Sequence, residues 1–307
     1  MKALVVGYGS IGQRHTRLLE ELQCEAAVVS TREGVYPRRY ASLQAGLEQW
    51  RPDYVVVANE TSAHAGAIEA LIDFGFNGRL LVEKPLFDAA RTLPAARFSH
   101  AAVAYNFRCH PLVLRLAHEL EGARIFDAQM HVGQWLPDWR PGRDYRASYS
   151  ARRAAGGGVL RDLSHELDLA LHFFGPWKRL AAHGGHFSAL EIDSEDTFSL
   201  LLETSRAPTV QISLNYLDRP GRRSAVINTD KGMLHLDLVR GLLLKDGQTL
   251  AEQPVDRDHT YREQHRLMID GGADKLCTLA QGVAVVEMIE AAERANADSA
   301  WVKGPAA

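Results

Sequence analysis

The sequence predicts an α/β chain in two parts: a parallel sheet with helices on both faces, then an α+β domain built on an open, largely antiparallel sheet. Three observations carry this. Residues 1–105 alternate short continuous apolar runs with helix-period segments, as βαβ units do. Beyond residue 112 the period falls to two, in longer runs joined by turn residues. That is the pattern of antiparallel strands with one covered face. The length of 307 residues also exceeds what a single core usually holds.

Lys2-Ala3-Leu4-Val5-Val6 reads as a buried strand running into glycine. Ile11 to Leu22 reads as a helix with Leu18, Leu19 and Leu22 inward. Strands follow over Ala26–Ser30, Tyr54–Ala58, Arg79–Glu83 and Ala101–Tyr105, with helices over Ala41–Trp50 and Ser62–Phe74 between them. The second part opens with a helix over Leu112–Leu120. Its strands are Phe126–Trp135, Asp196–Glu203, Thr209–Tyr216, Arg223–Asn228 and Met233–Leu238, with tight turns at Asp230-Lys231-Gly232 and Asp246-Gly247. Gly156-Gly157-Gly158 opens a helix to Phe174, and a long helix from Arg262 to Arg294 carries a candidate break at Gly271-Gly272. The expected domains are residues 1–112 and 113–307, with the C-terminal helix able to pack back on the first.

Composition excludes several classes. A formal charge of -3 argues against general nucleic-acid or membrane-surface binding, which needs basic excess. Cys24, Cys109 and Cys277 fit no zinc spacing and no disulfide framework, so no metal and a reducing cytoplasm are expected. The start shows no signal peptide, and no apolar run approaches a membrane span. His183-Gly184-Gly185-His186 lacks further ligands and reads as a turn. Arg219-Pro220-Gly221-Arg222-Arg223 reads as a basic hairpin turn.

Gly7-Tyr8-Gly9-Ser10-Ile11-Gly12 lies between a strand and a helix. In that context G-x-G-x-x-G is the dinucleotide-binding fingerprint of a Rossmann domain. Its glycines allow a tight turn, close backbone approach to the pyrophosphate and helix–strand packing. The second strand ends in Ser30-Thr31-Arg32 without an acid. Hydroxyls and a guanidinium suit the 2′-phosphate of NADP, although Glu33 one step on leaves NAD open. Glu83-Lys84-Pro85 ends the fourth strand on the ligand edge of the sheet. There Lys84, desolvated beside a cationic nicotinamide, is a candidate proton relay. Asp162, His165 and Glu166 recur at i, i+3 and i+4 behind the triple glycine. They read either as a polar site or as a first-turn acid with a structural histidine.

Taken in order, these blocks resemble the Gfo/Idh/MocA oxidoreductases. The resemblance rests on the glycine loop with Arg14-His15, Asn59-Glu60-Thr61 with His64, Glu83-Lys84-Pro85, Tyr105-Asn106-Phe107-Arg108 with Pro111, and the triple-glycine helix. It implies hydride transfer between a nicotinamide and a secondary alcohol or ketone of a sugar or cyclitol. Lys84 would relay the hydroxyl proton, His165 would bond the reacting oxygen and Asp162 would orient substrate. The dinucleotide would sit on Gly7–Gly12, Ser30, Thr31, Arg32, Asn59, Thr61, His64, Glu83, Lys84 and Asn106. Arg108 would line the crevice, and the second sheet would form a homodimer or homotetramer. Many members place four steps between the aspartate and the histidine; Asp162 and His165 are three apart, so their roles stand open to exchange. The wording around Leu163-Ser164-His165-Glu166, with Trp135–Trp139 before it, looks like a subgroup associated with surface-sugar or nucleotide-sugar pathways.

Residues 135–155 are rich in arginine and aromatics, Trp135 and Tyr145 among them. Aromatic faces stack on sugars and guanidiniums grip anions, so the loop suits a sugar acid or nucleotide sugar. A solvated loop packed on a neighbouring subunit is the other reading. Two further functions share these motifs. One keeps its cofactor bound and uses transient oxidation for elimination or glycoside hydrolysis. The other is a non-enzymatic NADP(H) sensor.

Overall fold

The computed structural model describes residues 1–93, 95 and 97–305. It divides into two compact units. Unit 1 is Met1–Cys109 with Arg257–Val286; unit 2 is His110–Asp256 with the chain from Glu287 onward.

Unit 1 begins β1 (Lys2–Val6), α1 (Ser10–Glu21), β2 (Glu25–Val29), β3 (Arg39–Tyr40), α2 (Leu43–Trp50), β4 (Tyr54–Val57), α3 (His64–Asp73), β5 (Arg79–Val82) and β6 (His100–Val103). Its six strands lie in the order β3-β2-β1-β4-β5-β6, all pairs parallel. Leu4, Val5, Val55, Val56, Leu80 and Leu81 are fully buried, as expected of strands covered on both faces. The order turns back at β1 and β4, so a crevice opens at the carboxyl ends of those strands. The two-residue strand β3 is absent from the sequence reading, being too short to show any period.

Unit 2 begins α4 (Pro111–Glu119), β7 (Ile125–Gly133), α5 (Val159–Asp162), α6 (His165–Phe174), β8 (Trp177–Gly185), β9 (Thr197–Thr204), β10 (Val210–Asn215), β11 (Arg222–Thr229), β12 (Gly232–Asp237), β13 (Leu242–Lys245) and β14 (Gln248–Glu252). The chain then enters α7 (His259–Asp270) and α8 (Leu279–Asp298) and ends in β15 (Val302–Lys303). The unit division falls within α8, after Val286. The expected break between the two long helices is present, with Gly271 at φ +86° capping α7.

The nine-stranded sheet of unit 2 runs β14-β13-β12-β11-β7-β10-β9-β8-β15. Only β7 and β10 pair in parallel; the other neighbours are antiparallel. It is therefore an open mixed sheet rather than a simple meander. Leu200, Ile212, Met130, Ala225, Leu236 and Leu243 form one cross-strand row and are all buried. One residue along, Leu201, Gln211 and Gln129 are exposed. A period-two pattern with one covered face accounts for both rows. Strand β8 includes His183, Gly184 and Gly185, correcting the turn expected there.

The triple-glycine helix is two helices. Leu163 leaves helical geometry at φ -101°, ψ 22°, and α6 restarts behind Ser164. A Cβ on Gly157 would lie 2.3 Å from the Tyr149 carbonyl oxygen, and one on Gly158 would lie 2.1 Å from Glu195 Oε1. The glycines thus admit the backbone of residues 149–150 and a buried carboxylate. Gly158→Ala, at φ +117°, is expected to lower stability by about 1–3 kcal/mol through strain and overpacking. Urea unfolding read by tryptophan fluorescence measures this; an unchanged midpoint would contradict it.

Candidate functional site

The glycine loop of unit 1 has the shape a dinucleotide needs. Gly7 takes φ +94°, and a Cβ there would sit 2.7 Å from the Asn59 backbone. A Cβ on Gly12 would lie 2.1 Å from the Gly7 carbonyl oxygen, so α1 packs against the loop only with glycine at both places. Gly9 faces open space, with nothing within 4 Å of where its Cβ would be. As N-cap of α1 it brings no side chain to the first-turn amides, which remain available to an anion. Beside the loop, Asn59 Oδ1 is buried without a hydrogen-bond partner. A cradle open at Gly9, an anion-ready helix start and an orphaned acceptor fit a bound dinucleotide.

Arg32, expected at the adenosine ribose, donates to the Tyr8 carbonyl. Its backbone N–H donates to Ser30 Oγ at 3.2 Å. Thr61 begins a short 3-10 turn leading into α3. His64 is 1% exposed, its ring nitrogens facing the Leu86 and Asn59 carbonyls at 3.1 and 3.3 Å. It fastens the β5 exit to the Asn59 loop. Asn106 donates to Thr260 Oγ1 at 2.6 Å, and Arg108 donates to Gln281 Oε1 at 2.8 Å. Both are buried, so each is fixed by the returning segment 257–286.

Glu83, 8% exposed at the end of β5, anchors a chain that the sequence reading did not foresee. Glu83 Oε1 is 2.8 Å from His15 Nε2. His15 Nδ1 is 2.8 Å from His265 Nε2, and His265 Nδ1 is 2.9 Å from the Tyr54 hydroxyl. His15, His265 and Tyr54 are each 0% exposed. An ionised carboxylate only accepts, so His15 donates to Glu83 from Nε2. When both imidazoles are neutral, Tyr54 donates to His265, His265 to His15, and His15 to Glu83. Burial alone would raise the Glu83 carboxyl; the hydrogen bond from His15, with Lys84, brings it below its ordinary value. Lys84 is half-buried, and its backbone N–H donates to Glu83 Oε2 at 3.1 Å.

In unit 2, Asp162 and His165 stand on different helices, so the continuous helix expected to carry Asp162, His165 and Glu166 is interrupted at Leu163-Ser164. Asp162 Oδ2 accepts from the Tyr216 hydroxyl at 2.7 Å. Tyr149 also donates to this carboxylate, whose charge holds the Tyr149 phenol well above its usual range. Burial, then Asp162, does the same to Tyr216. Glu166, 2% exposed, pairs with Arg223 at 2.8 Å. That gives one member of the basic 219–223 run a structural task. The 135–155 segment is a series of short 3-10 turns. Trp139 packs edge-on against Tyr216 at 5.2 Å, Arg219 lies 3.9 Å over Trp135, and Arg140 lies 5.6 Å over Tyr149. Tyr145 accepts from the Glu191 N–H at 3.3 Å. Among the described residues no group of three His, Cys, Asp or Glu side chains could hold a metal, and no helix is long and apolar enough to cross a membrane.

His64 and His265 are both depressed, chiefly by burial, His265 strongly. The unfolded chain therefore binds protons below about pH 6.5 that the folded chain refuses. Stability conferred by the neutral rings is full above that pH and falls as pH drops through it, by up to about 1.4 kcal/mol per unit for each ring. The Glu83 contribution is lost at still lower pH by the same sign. Urea unfolding between pH 7 and 5 should show this slope, and His265→Gln should flatten it by up to one proton. A flat native profile would contradict the assignment.

Residues 120–235 match the GFO/IDH/MocA C-terminal domain model. No curated protein matches the chain. Among solved structures, GenD2 from gentamicin A biosynthesis, in complex with NAD, is 25% identical over 100% of this chain and 97% of its own, with a TM-score of 0.82. A levoglucosan dehydrogenase in complex with NADH is 16% identical, covers 100% of both chains and has a TM-score of 0.85. The WlbA dehydrogenase from Bordetella pertussis, in complex with NADH and UDP-GlcNAcA, is 19% identical over 100% of this chain and 99% of its own, at 0.78. The fold is shared along the whole chain, and the match of residues 120–235 to the GFO/IDH/MocA C-terminal domain agrees with the family resemblance read from the sequence motifs.

Proposed function

We propose that the chain is a nicotinamide-dependent oxidoreductase acting on a secondary alcohol or ketone of a sugar, sugar acid or nucleotide-sugar derivative. The observation that carries this is the open glycine cradle beside the orphaned Asn59 acceptor, at the same strand edge as Glu83-Lys84. Support comes from NAD or NADH in the similar structures and from the sugar ligands two of them name. When bound, the nicotinamide would accept or supply the hydride.

The chain's own residues handle orientation and the proton. Lys84 Nζ takes the hydroxyl proton on oxidation and returns it on reduction. Glu83 places the nicotinamide side of the crevice and adds negative charge beside Lys84. Asn59, Thr61 and Asn106 would line the dinucleotide, with Thr61 partly exposed and Asn106 held by Thr260. His165 bonds the reacting oxygen. Asp162 orients substrate through Tyr149 and Tyr216, whose hydroxyls its carboxylate fixes. Trp135, Tyr145 and Arg108 serve the sugar side. The half-exposed face of the unit 2 sheet, with Leu201 and Met233 uncovered, meets a second copy of the chain in a homo-oligomer.

NADP is the preferred form of the cofactor in this reading. Ser30, Thr31 and Arg32 close the tip of β2 without an acid, and Arg32 lies exposed against the loop. Arg32→Ala is expected to weaken NADP binding about tenfold or more while sparing NAD, the scale of a lost charge-assisted hydrogen bond. Equal losses for both nucleotides in fluorescence titration would reject the preference. Lys84→Ala is expected to keep nucleotide binding and lower kcat on a sugar panel by about 100-fold or more. Undiminished turnover would remove Lys84 from the proton path.

A further inference from the structure

The chain Tyr54–His265–His15–Glu83 spends three buried side chains on one carboxylate, and it can run in two directions. In the first, described above, every hydrogen points toward Glu83 and both rings are neutral. In the second, His15 carries one added proton. Its Nε2–H still donates to Glu83, but its Nδ1–H now donates to His265 Nε2. His265 then carries its proton on Nδ1 and donates to the Tyr54 oxygen, and the Tyr54 hydroxyl hydrogen rotates away from the ring. No heavy atom moves: the distances of 2.8, 2.8 and 2.9 Å serve both states, because imidazole nitrogens and a hydroxyl can each donate or accept. The two states differ by one proton taken from solvent and one unit of positive charge at His15.

We propose, building on the nicotinamide reading above, that this chain is a one-proton reservoir behind Glu83: His15 gives up the added proton when positive charge enters the crevice and regains it when that charge leaves. Oxidised nicotinamide carries a positive charge and reduced nicotinamide does not. Two positive charges competing for one buried carboxylate repel, and at low effective dielectric that repulsion is large enough to move a proton. His15 is thereby a positioning residue that acts through Glu83, and His265 and Tyr54 make its second state possible.

The surroundings allow His15 to be the group that changes. His265, from α7, is held neutral by full burial and by His15 itself. Tyr261, also from α7, meets the His15 ring edge-on at 5.8 Å and is pushed up to about 12, so it stays protonated. Arg14 on α1 lies 5.0 Å over the Tyr261 ring and pairs with Asp258. On the Glu83 side the facing groups are Lys84 from its own strand end and His64 from α3.

Two measurements test this. Nitrogen-15 NMR of the native protein without nucleotide should show His15 and His265 as neutral Nε2–H tautomers at pH 8. On acidification His15 should become doubly protonated while His265 switches to the Nδ1–H tautomer. A neutral His15 protonated on Nδ1, or a His265 that never switches, would overturn the proposal. Calorimetric titration in buffers of different ionisation enthalpy then counts protons. Oxidised nucleotide should release up to one proton more than reduced nucleotide, and the ratio of their dissociation constants should change by up to about tenfold per pH unit. His15→Gln keeps a donor to Glu83 but cannot take the proton, so nucleotide binding should survive and the difference vanish. Equal proton counts in the native protein, or an undiminished difference in His15→Gln, would also overturn it. Failure of both nucleotides to bind would instead reject the dinucleotide reading, and the NMR pattern would then decide the relay alone.

Discussion

A carboxylate buried at the end of a parallel strand is costly unless something donates to it. In unit 1 that debt falls at Glu83, and meeting it draws in α1 through His15, α7 through His265 and β4 through Tyr54. The cradle around it depends on the same elements. His15 sits one turn into the helix that Gly12 allows to pack on Gly7, and Tyr54 begins the strand that ends beside Asn59. Packing, the shape of the nucleotide loop and the charge of the strand end are thus set together.

Unit 2 shows a similar economy with different chemistry. Asp162 is held by two phenols, Glu166 by Arg223, and Glu195 sits over the glycines that start α5. Three acids near the start of one helical region would repel if left in water-poor surroundings. Each instead has its own donor, and the break at Leu163-Ser164 lets them face separate partners.

Much of this was legible in the chain because it is local. The parallel strands read clearly as continuous apolar runs, and the glycine loop carried its meaning in six residues. The long strands of unit 2 showed their period of two. What escaped lacks a local signal. Strands β3 and β15 are two residues long, and β8 mixes glycine and histidine into its run. The break after Asp162 occurs in a segment whose leucines continue at helical spacing, so periodicity concealed it. The relay was illegible for a plainer reason: His15 and His265 are 250 positions apart, and nothing near either announces the other. Likewise Asn106 and Arg108 were singled out, but Thr260 and Gln281, which hold them, were not.

The interleaving of the chain bears on its birth. Strand β7 is made early, yet its two neighbours, β10 and β11, come from residues 210–229. Unit 1 needs residues 257–286 to supply His265, Thr260 and Gln281. During synthesis from the N-terminus, a ribosome that has finished the six-stranded sheet still holds a carboxylate whose relay ends at His15. Pairings across such long separations close slowly and leave strand edges and buried polar groups exposed meanwhile. Truncation products lacking the last fifty or so residues would then carry the whole glycine loop without His265, Thr260 and Gln281.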